Sequence, residues 1–367
     1  MTPATQDAVS RLDSVSRLDS VSRVEAGLLA DIGAHAAELD RGEGSSRRSF
    51  EALAGAGVLD LGAPGNADGR LPEMAAVLKE ISSVCMSTAF SAWAHRMVLE
   101  YLLAAGTPYA LSAVSPLRAG KALGVTGMAA AFKDAAGCGT IELTAAPAGE
   151  GYELSGPIRW ASNLYPDSVL VTTARTGTGD KLIVALPLAS PGITVGDRFD
   201  LLALGSTASS YLRLEDVRIT EEQVLSRDFD AFVTAVRPAF LVLQSALCLG
   251  LAGTSITQAR AGLTGINSVF TADVDLAGGK LALAEASLAS LAAAVGTGTP
   301  PAKKELLSLR LTAAELAGES AALEIRTAGG KGYASRTAPS RRYREAAFLP
   351  VQSPSEAQLR WELAACA

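Results

Sequence analysis

The chain has 367 residues, a formal net charge of −6, and 49% apolar but only 5% aromatic side chains. That length allows two or three domains with large cores, and the mild acidity excludes a nucleic-acid partner, which would want a basic face. Four cysteines (Cys85, Cys138, Cys248 and Cys366) are scattered without a C-x-x-C pair, so they read as buried apolar residues of a reducing compartment and not as disulfides or metal ligands. No charged-then-apolar leader opens the chain. The most apolar stretch, 240–256, is interrupted by Gln244, Ser245, Gly250, Gly253, Thr254 and Ser255, which predicts a buried helix and no membrane span. A cytoplasmic protein is expected.

In chain order, SRLDSV occurs at 10–15 and again at 16–21. Its apolar residues fall three apart and drift around a helix, which predicts a tail over 1–26. From Leu28 the spacing is helical, with Leu28, Ile32, Ala36 and Leu39 on one face and His35 read as structural. A short helix starts at Ser46, and a longer one carries Met74, Val77, Leu78, Ile81 and Val84. His95 lies in the next helix, as either a satisfied helix histidine or an active-site acid/base. Strands begin near Lys121. They are expected at 141–143, in a hairpin at 151–161 turning at Ser155-Gly156-Pro157, at 169–171, 182–186, 193–195 and from 211 to Val217. Helices return from about Asp230 to Gly262, along Leu281, Leu288, Leu291 and Val295, and along the sevens Leu309, Leu316 and Leu323, stopping at Gly329-Gly330. The pattern predicts an α+β multidomain fold. An N-terminal helical domain spans 27–120, a middle β-barrel or sandwich domain 121–225, and a C-terminal four-helix-bundle-like domain 226–367.

Trp160 stands beside Ser162 and Asn163 with no charge between them, a surface suited to a planar, uncharged heteroaromatic ring. The passage 151–163 reads G-Y-x-L-x-G-x-x-x-W-x-S-N. It resembles the middle-domain signature of the acyl-CoA dehydrogenase superfamily, in which the Trp and the following Ser or Thr border a flavin ring. Asp40-Arg41 followed by the 53–64 passage, LGSTASSYLRLEDVRI at 204–219, and TAGGKGYASRTAPSRRYREAAF at 327–348 resemble further segments of that superfamily. Together they cover nearly the whole chain after the tail. The resemblance implies flavin contacts at Thr126, Trp160, Ala161, Ser162 and Asn163, with Gly329 and Gly330 approaching the flavin nucleotide of a neighbouring subunit. It also implies FAD as cofactor, or reduced FMN or FAD supplied by a reductase, and no metal. The expected assembly is a homodimer or homotetramer. The expected partners are a small-molecule substrate such as an acyl thioester, and an electron-transfer flavoprotein or flavin reductase.

Three departures bear on function. In GVTGMAAAFKDAAG (124–137) only Thr126 matches the superfamily's T-E-P … G-S-D loop, and the R-x-x-F-G passage is absent after Arg260. The superfamily's base, a Glu in Y-E-G-T, falls at Ser353, or at Gln352 after a one-residue slip. Its alternative position falls at Phe240, and the nearest carboxylate, Glu356, lies about one helical turn on. Loss of a positioned base typically costs about 10²–10⁴ in rate. The candidate catalytic residues are therefore Ser353, Gln352, Glu356 and His95. The functions open are a flavin oxidoreductase of dehydrogenase type without the usual Glu, a flavin monooxygenase using reduced flavin and O2, and a non-catalytic relative.

Overall fold

The computed structural model describes residues 23–366, so the repeat at 10–21 lies outside the described residues. Helices α1 (Ala26–Ala34) and α2 (Ala36–Asp40) replace the single helix expected from Leu28. The break falls at His35, whose ring Nδ1 sits 2.8 Å from the Asp31 carbonyl that a continuous helix would have bonded to the backbone. Then come α3 (Phe50–Gly55), α4 (Leu71–Val84), α5 (Met86–Ala105) and α6 (Pro108–Arg118). Thr107 caps α6 by accepting from the Ala110 N–H. Residues 86–102 of α5 are buried without a break, so this helix has no polar face.

The middle of the chain is one mixed sheet with α7 (Ala129–Ala135) inserted after its first strand. Its strands are β1 (Gly124–Gly127), β2 (Thr144–Ala148), β3 (Gly151–Ala161), β4 (Val169–Thr176), β5 (Lys181–Pro187), β6 (Ile193–Val195), β7 (Ser210–Thr220) and β8 (Val224–Ser226). They are ordered β6-β7-β3-β2-β4-β5-β8, with β1 alongside β4. β4 is buried on both faces: Val169 and Val171 join the helical core, while Leu170 and Ala174 join the core of the sheet.

Two expectations are corrected here. Ser155-Gly156-Pro157 is not a turn, because β3 runs straight through it and pairs with β7 on both sides of a bulge between Leu154 and Gly156. Gly156 has φ +138°, and a Cβ there would meet the Glu142 carbonyl at 2.8 Å, so a local turn signal serves a bulge instead. The true hairpin joins β2 to β3, with Ala148 opposite Gly151. The strand expected at 141–143 is irregular, and regular pairing starts at Thr144. Ile141 and Leu143 alternate because both are buried, not because they belong to a ladder.

The chain ends in α8 (Phe229–Ala261), α9 (Thr271–Ala294), α10 (Lys303–Ala328), α11 (Gly330–Tyr333), α12 (Ala338–Phe348) and α13 (Glu356–Ala364). Asp228 caps α8, its carboxylate accepting from the Ala231 N–H at 3.0 Å. α8 is long and apolar enough to cross a membrane, yet 89% of its apolar window is buried inside the protein. It crosses α4 so closely that a Cβ on Gly250 would meet the Lys79 carbonyl at 2.2 Å. Met74 and Leu78 of α4, Leu243 and Leu247 of α8, and Leu309 and Leu316 of α10 share one core, so N-terminal and C-terminal helices pack as a unit.

Candidate functional site

A cavity of about 450 Å³ opens where the end of β3 meets α5, α8 and the loop after α12. Ligand sites commonly measure about 300–1,000 Å³. Thr126, Trp160, Ala161 and Ser162 form the sheet side, Phe90, Trp93 and Phe240 the helical side, and Gln352 and Ser353 the loop side. Thus the structure brings together four of the residues assigned to flavin and two of those assigned to catalysis. The aromatic wall is a contact chain: Trp93 meets Phe240 edge-on at 4.9 Å, and Phe90 meets Phe348 at 5.0 Å. Trp160 is half exposed and lies 4.4 Å from Phe199, centroid to centroid.

Asn163 stands just behind this wall with φ +61°. Its amide donates to the carbonyls of Ser91 (3.0 Å) and Gly124 (3.1 Å), tying the end of β3 to α5 and β1. Ser162 Oγ lies 2.7 Å from Ser209 Oγ, itself 2.8 Å from Thr207 Oγ1, which donates to the Leu204 carbonyl. A chain of hydroxyls therefore lines the same cavity as the indole. On the loop side, both amide atoms of Gln352 and the Ser353 hydroxyl are buried without a hydrogen-bond partner. Such orphans are uncommon in native structures and call for an explanation.

The remaining sequence candidates lie elsewhere. His95 is fully buried, with Nδ1 accepting from the Gly124 N–H at 3.2 Å and its ring edge against Phe50. Burial lowers its pKa to about 3, Arg96 adds to the shift and the Leu117 carbonyl opposes it, so the imidazole is neutral and outside the cavity lining. Glu356 accepts from Arg360 at 2.8 Å and does not line the cavity. Gly329, with φ +61°, ends α10, and Gly330 follows it; both are exposed and have open space where a Cβ would stand. No Asp or Glu is among the described lining residues, whose charged members are Lys133 and Arg344.

Behind the loop lies a group that the sequence reading missed. Gln244 of α8 donates to the Ser353 carbonyl at 2.9 Å, and its own carbonyl accepts from Arg310 Nε at 3.1 Å. Arg310 also donates to the Leu349 carbonyl at 2.7 Å. A polar residue interrupting the apolar 240–256 run, and an arginine beside the leucine stripe of α10, were the available signals.

No family model matches the chain. The human mitochondrial short-chain specific acyl-CoA dehydrogenase is 26% identical over 346 residues, covering 88% of this chain and 83% of its own. A probable acyl-CoA dehydrogenase of Bacillus subtilis, YngJ, is 26% identical over 352 residues, covering 89% and 92%. The solved structure of glutaryl-coenzyme A dehydrogenase in its glutaryl-CoA complex superposes with a TM-score of 0.82 at 17% identity, covering 92% of this chain and 93% of that one. The chain thus resembles acyl-CoA dehydrogenases over nearly nine-tenths of its length and shares their fold. Gln352, Ser353 and Phe240, the positions that the sequence resemblance aligned with a catalytic base, all line this one cavity.

The superfamily's Arg-Asp-Ala segment is Arg344-Glu345-Ala346 here. Glu345 is buried, and burial raises its pKa to about 7. Arg341 is the main group opposing that shift but does not cancel it; its Nε is 3.5 Å from the carboxylate, and neither atom makes a hydrogen bond. Between its unfolded value of 4.5 and about 7, the native carboxyl keeps a proton that the unfolded chain has released. This group's contribution to stability therefore falls as pH rises through that window. Glu345→Gln is expected to match the parent near pH 4 and exceed it by on the order of 3 kcal/mol at pH 8. Urea midpoints across that range test this, and a constant difference at all pH values would count against it.

Proposed function

We propose that the protein is a flavin-dependent oxidoreductase that works without the superfamily's carboxylate base. The observation that carries the reading is the pairing, across one cavity, of the Trp160 indole and its hydroxyl chain with the unpartnered polar atoms of Gln352 and Ser353. A buried donor or acceptor left unmade costs about 1–3 kcal/mol, which a ligand with a polar edge on a flat ring would relieve. The residues present fit such a ring: Thr126, Trp160, Ala161 and Ser162 would hold it, and the exposed Gly329-Gly330 leaves room for the nucleotide of a neighbouring subunit's FAD. When bound, flavin supplies two-electron redox chemistry. Phe90, Trp93 and Phe240 exclude water, and Gln352 orients the bound molecule through its free amide.

Neither Gln352 nor Ser353 accepts a substrate proton at neutral pH, so ordinary α,β-dehydrogenation of an acyl thioester is expected to be slow. A second reading is a monooxygenase that takes reduced FMN or FAD from a reductase together with O2, and the carboxylate-free, mostly apolar lining favours it. The first reading would discharge electrons to an electron-transfer flavoprotein. In either case Leu276 and Leu283, exposed seven residues apart on α9, are the surface by which copies of the chain would pair.

One experiment tests these points together: size exclusion with light scattering and full visible absorbance, before and after incubation with FAD. The expected result is a flavin band co-eluting with a species of at least twice the chain mass. Bleaching of that band by an acyl thioester would select the dehydrogenase reading. A colourless protein that consumes oxygen only with a flavin reductase would select the monooxygenase. Failure to bind oxidised flavin, or reduced flavin without oxygen, overturns both.

A further inference from the structure

A second cleft, of about 570 Å³, abuts the cavity and shares Leu201, Leu202 and Arg344 with it. Arg41, Arg198, Arg336, Arg341 and Arg344 line it, against Asp40 and Asp200, in a chain whose net charge is −6. Some of these arginines are already engaged. Arg344 donates to both Asp40 oxygens, at 3.0 and 2.6 Å, and Arg41 donates to Glu43 at 2.8 Å. Arg341 donates to the Val84 carbonyl at 3.2 Å.

Arg198 and Arg336 are exposed and form no ion pair among the described residues, although Arg336 lies near enough to help lower the pKa of Glu43. The N-terminal end of the eleven-residue α12, capped by Thr337, opens onto the same cleft and adds the positive end of its dipole. A guanidinium fork presents paired N–H groups in a geometry that matches a phosphate or carboxylate, so two uncommitted forks beside a helix N-terminus make a surface able to bind a phosphate.

We propose that this cleft binds the phosphate of a ligand whose organic part lies in the adjoining cavity, with Arg198 and Arg336 as its anchors. The inference rests on the preceding functional reading only in taking the cavity as the reacting site. Two sources share this chemistry, a phosphate on the flavin and a phosphate on the carrier arm of the substrate.

Calorimetric titration of the full-length protein with two matched pairs, FMN with riboflavin and 4′-phosphopantetheine with pantetheine, tests the assignment and separates the sources. In one pair the phosphorylated member is expected to bind about tenfold tighter, the effect of one charge-assisted hydrogen bond. That advantage should shrink with added salt. Arg198→Gln/Arg336→Gln is expected to abolish the advantage while leaving the dephosphorylated member's affinity unchanged. Both side chains are exposed, so the variant should keep the parent's circular dichroism. An advantage that survives in the double variant, or none in either pair (including no binding by any of the four), overturns the proposal. Failure of both flavins alone would count against the flavin reading and leave the pantetheine pair to decide the cleft.

Discussion

Replacing Glu100 by leucine is expected to cost about 3–5 kcal/mol of stability, the usual loss when a buried ion pair is stripped of one partner. Arg96 and Glu100 lie one turn apart on α5, with side chains 0% and 1% exposed and 2.8 Å between Nη1 and Oε2. The pair also holds a neighbouring segment. Arg96 Nε donates to the Leu61 carbonyl at 3.1 Å, and the second Glu100 oxygen accepts from the Gly65 N–H at 2.5 Å. Without the carboxylate, a guanidinium that already has one unpartnered nitrogen stays in the core with no counter-charge. Glu100→Gln keeps an acceptor and should lose less. Arg96→Met/Glu100→Leu should recover most of the loss, because the buried charge is then gone from both sides. Urea unfolding of the three variants decides the matter. A Glu100→Leu protein within about 1 kcal/mol of the parent would show that the pair contributes little. Because α5 also carries Trp93 to the cavity wall, softening its anchor is expected to loosen the site as well.

How much of this was legible depended on whether local pattern and tertiary demand agreed. The sevens Leu309, Leu316 and Leu323 are all buried along α10, and the helix stops where Gly329 takes a positive φ. At 155–157 the two disagreed. Ser-Gly-Pro reads as a turn by itself, but pairing with β7 on both sides converts it to a bulge in a continuous strand. His95 was undecidable from spacing, because a helix buried on every side has no face pointing to a site. The cavity's sheet side was visible as the run from Trp160 to Asn163, and its loop side through the family resemblance at 352–353. The arginine cleft was not visible at all. Its members come from 41, 198 and 336–344, and only the fold brings them together.

Gln244→Leu is expected to cost about 3 kcal/mol, with a second effect confined to the cavity. Arg310 is fully buried and has no carboxylate within ion-pair distance among the described residues; its donors go to the carbonyls of Gln244 and Leu349, with Cys248 Sγ at 3.7 Å. Gln244 is the link between that cation and the loop, since its amide nitrogen holds the Ser353 carbonyl while its oxygen receives Arg310. Leucine keeps a similar volume but leaves a charged donor and a carbonyl unmade at once. The loop that presents Gln352 and Ser353 should then fray, so retention of added flavin should weaken along with the denaturation midpoint. Gln244→Glu separates the two halves of the effect. It retains the acceptor for Arg310, and adds a counter-charge, but cannot donate to Ser353. It is expected to unfold closer to the parent than the leucine variant does, while sharing the weakened ligand retention. Equal stability losses in both variants would mean that the Arg310 contact contributes nothing to folding. Full flavin retention in both would mean that the Ser353 contact does not hold the cavity's loop wall.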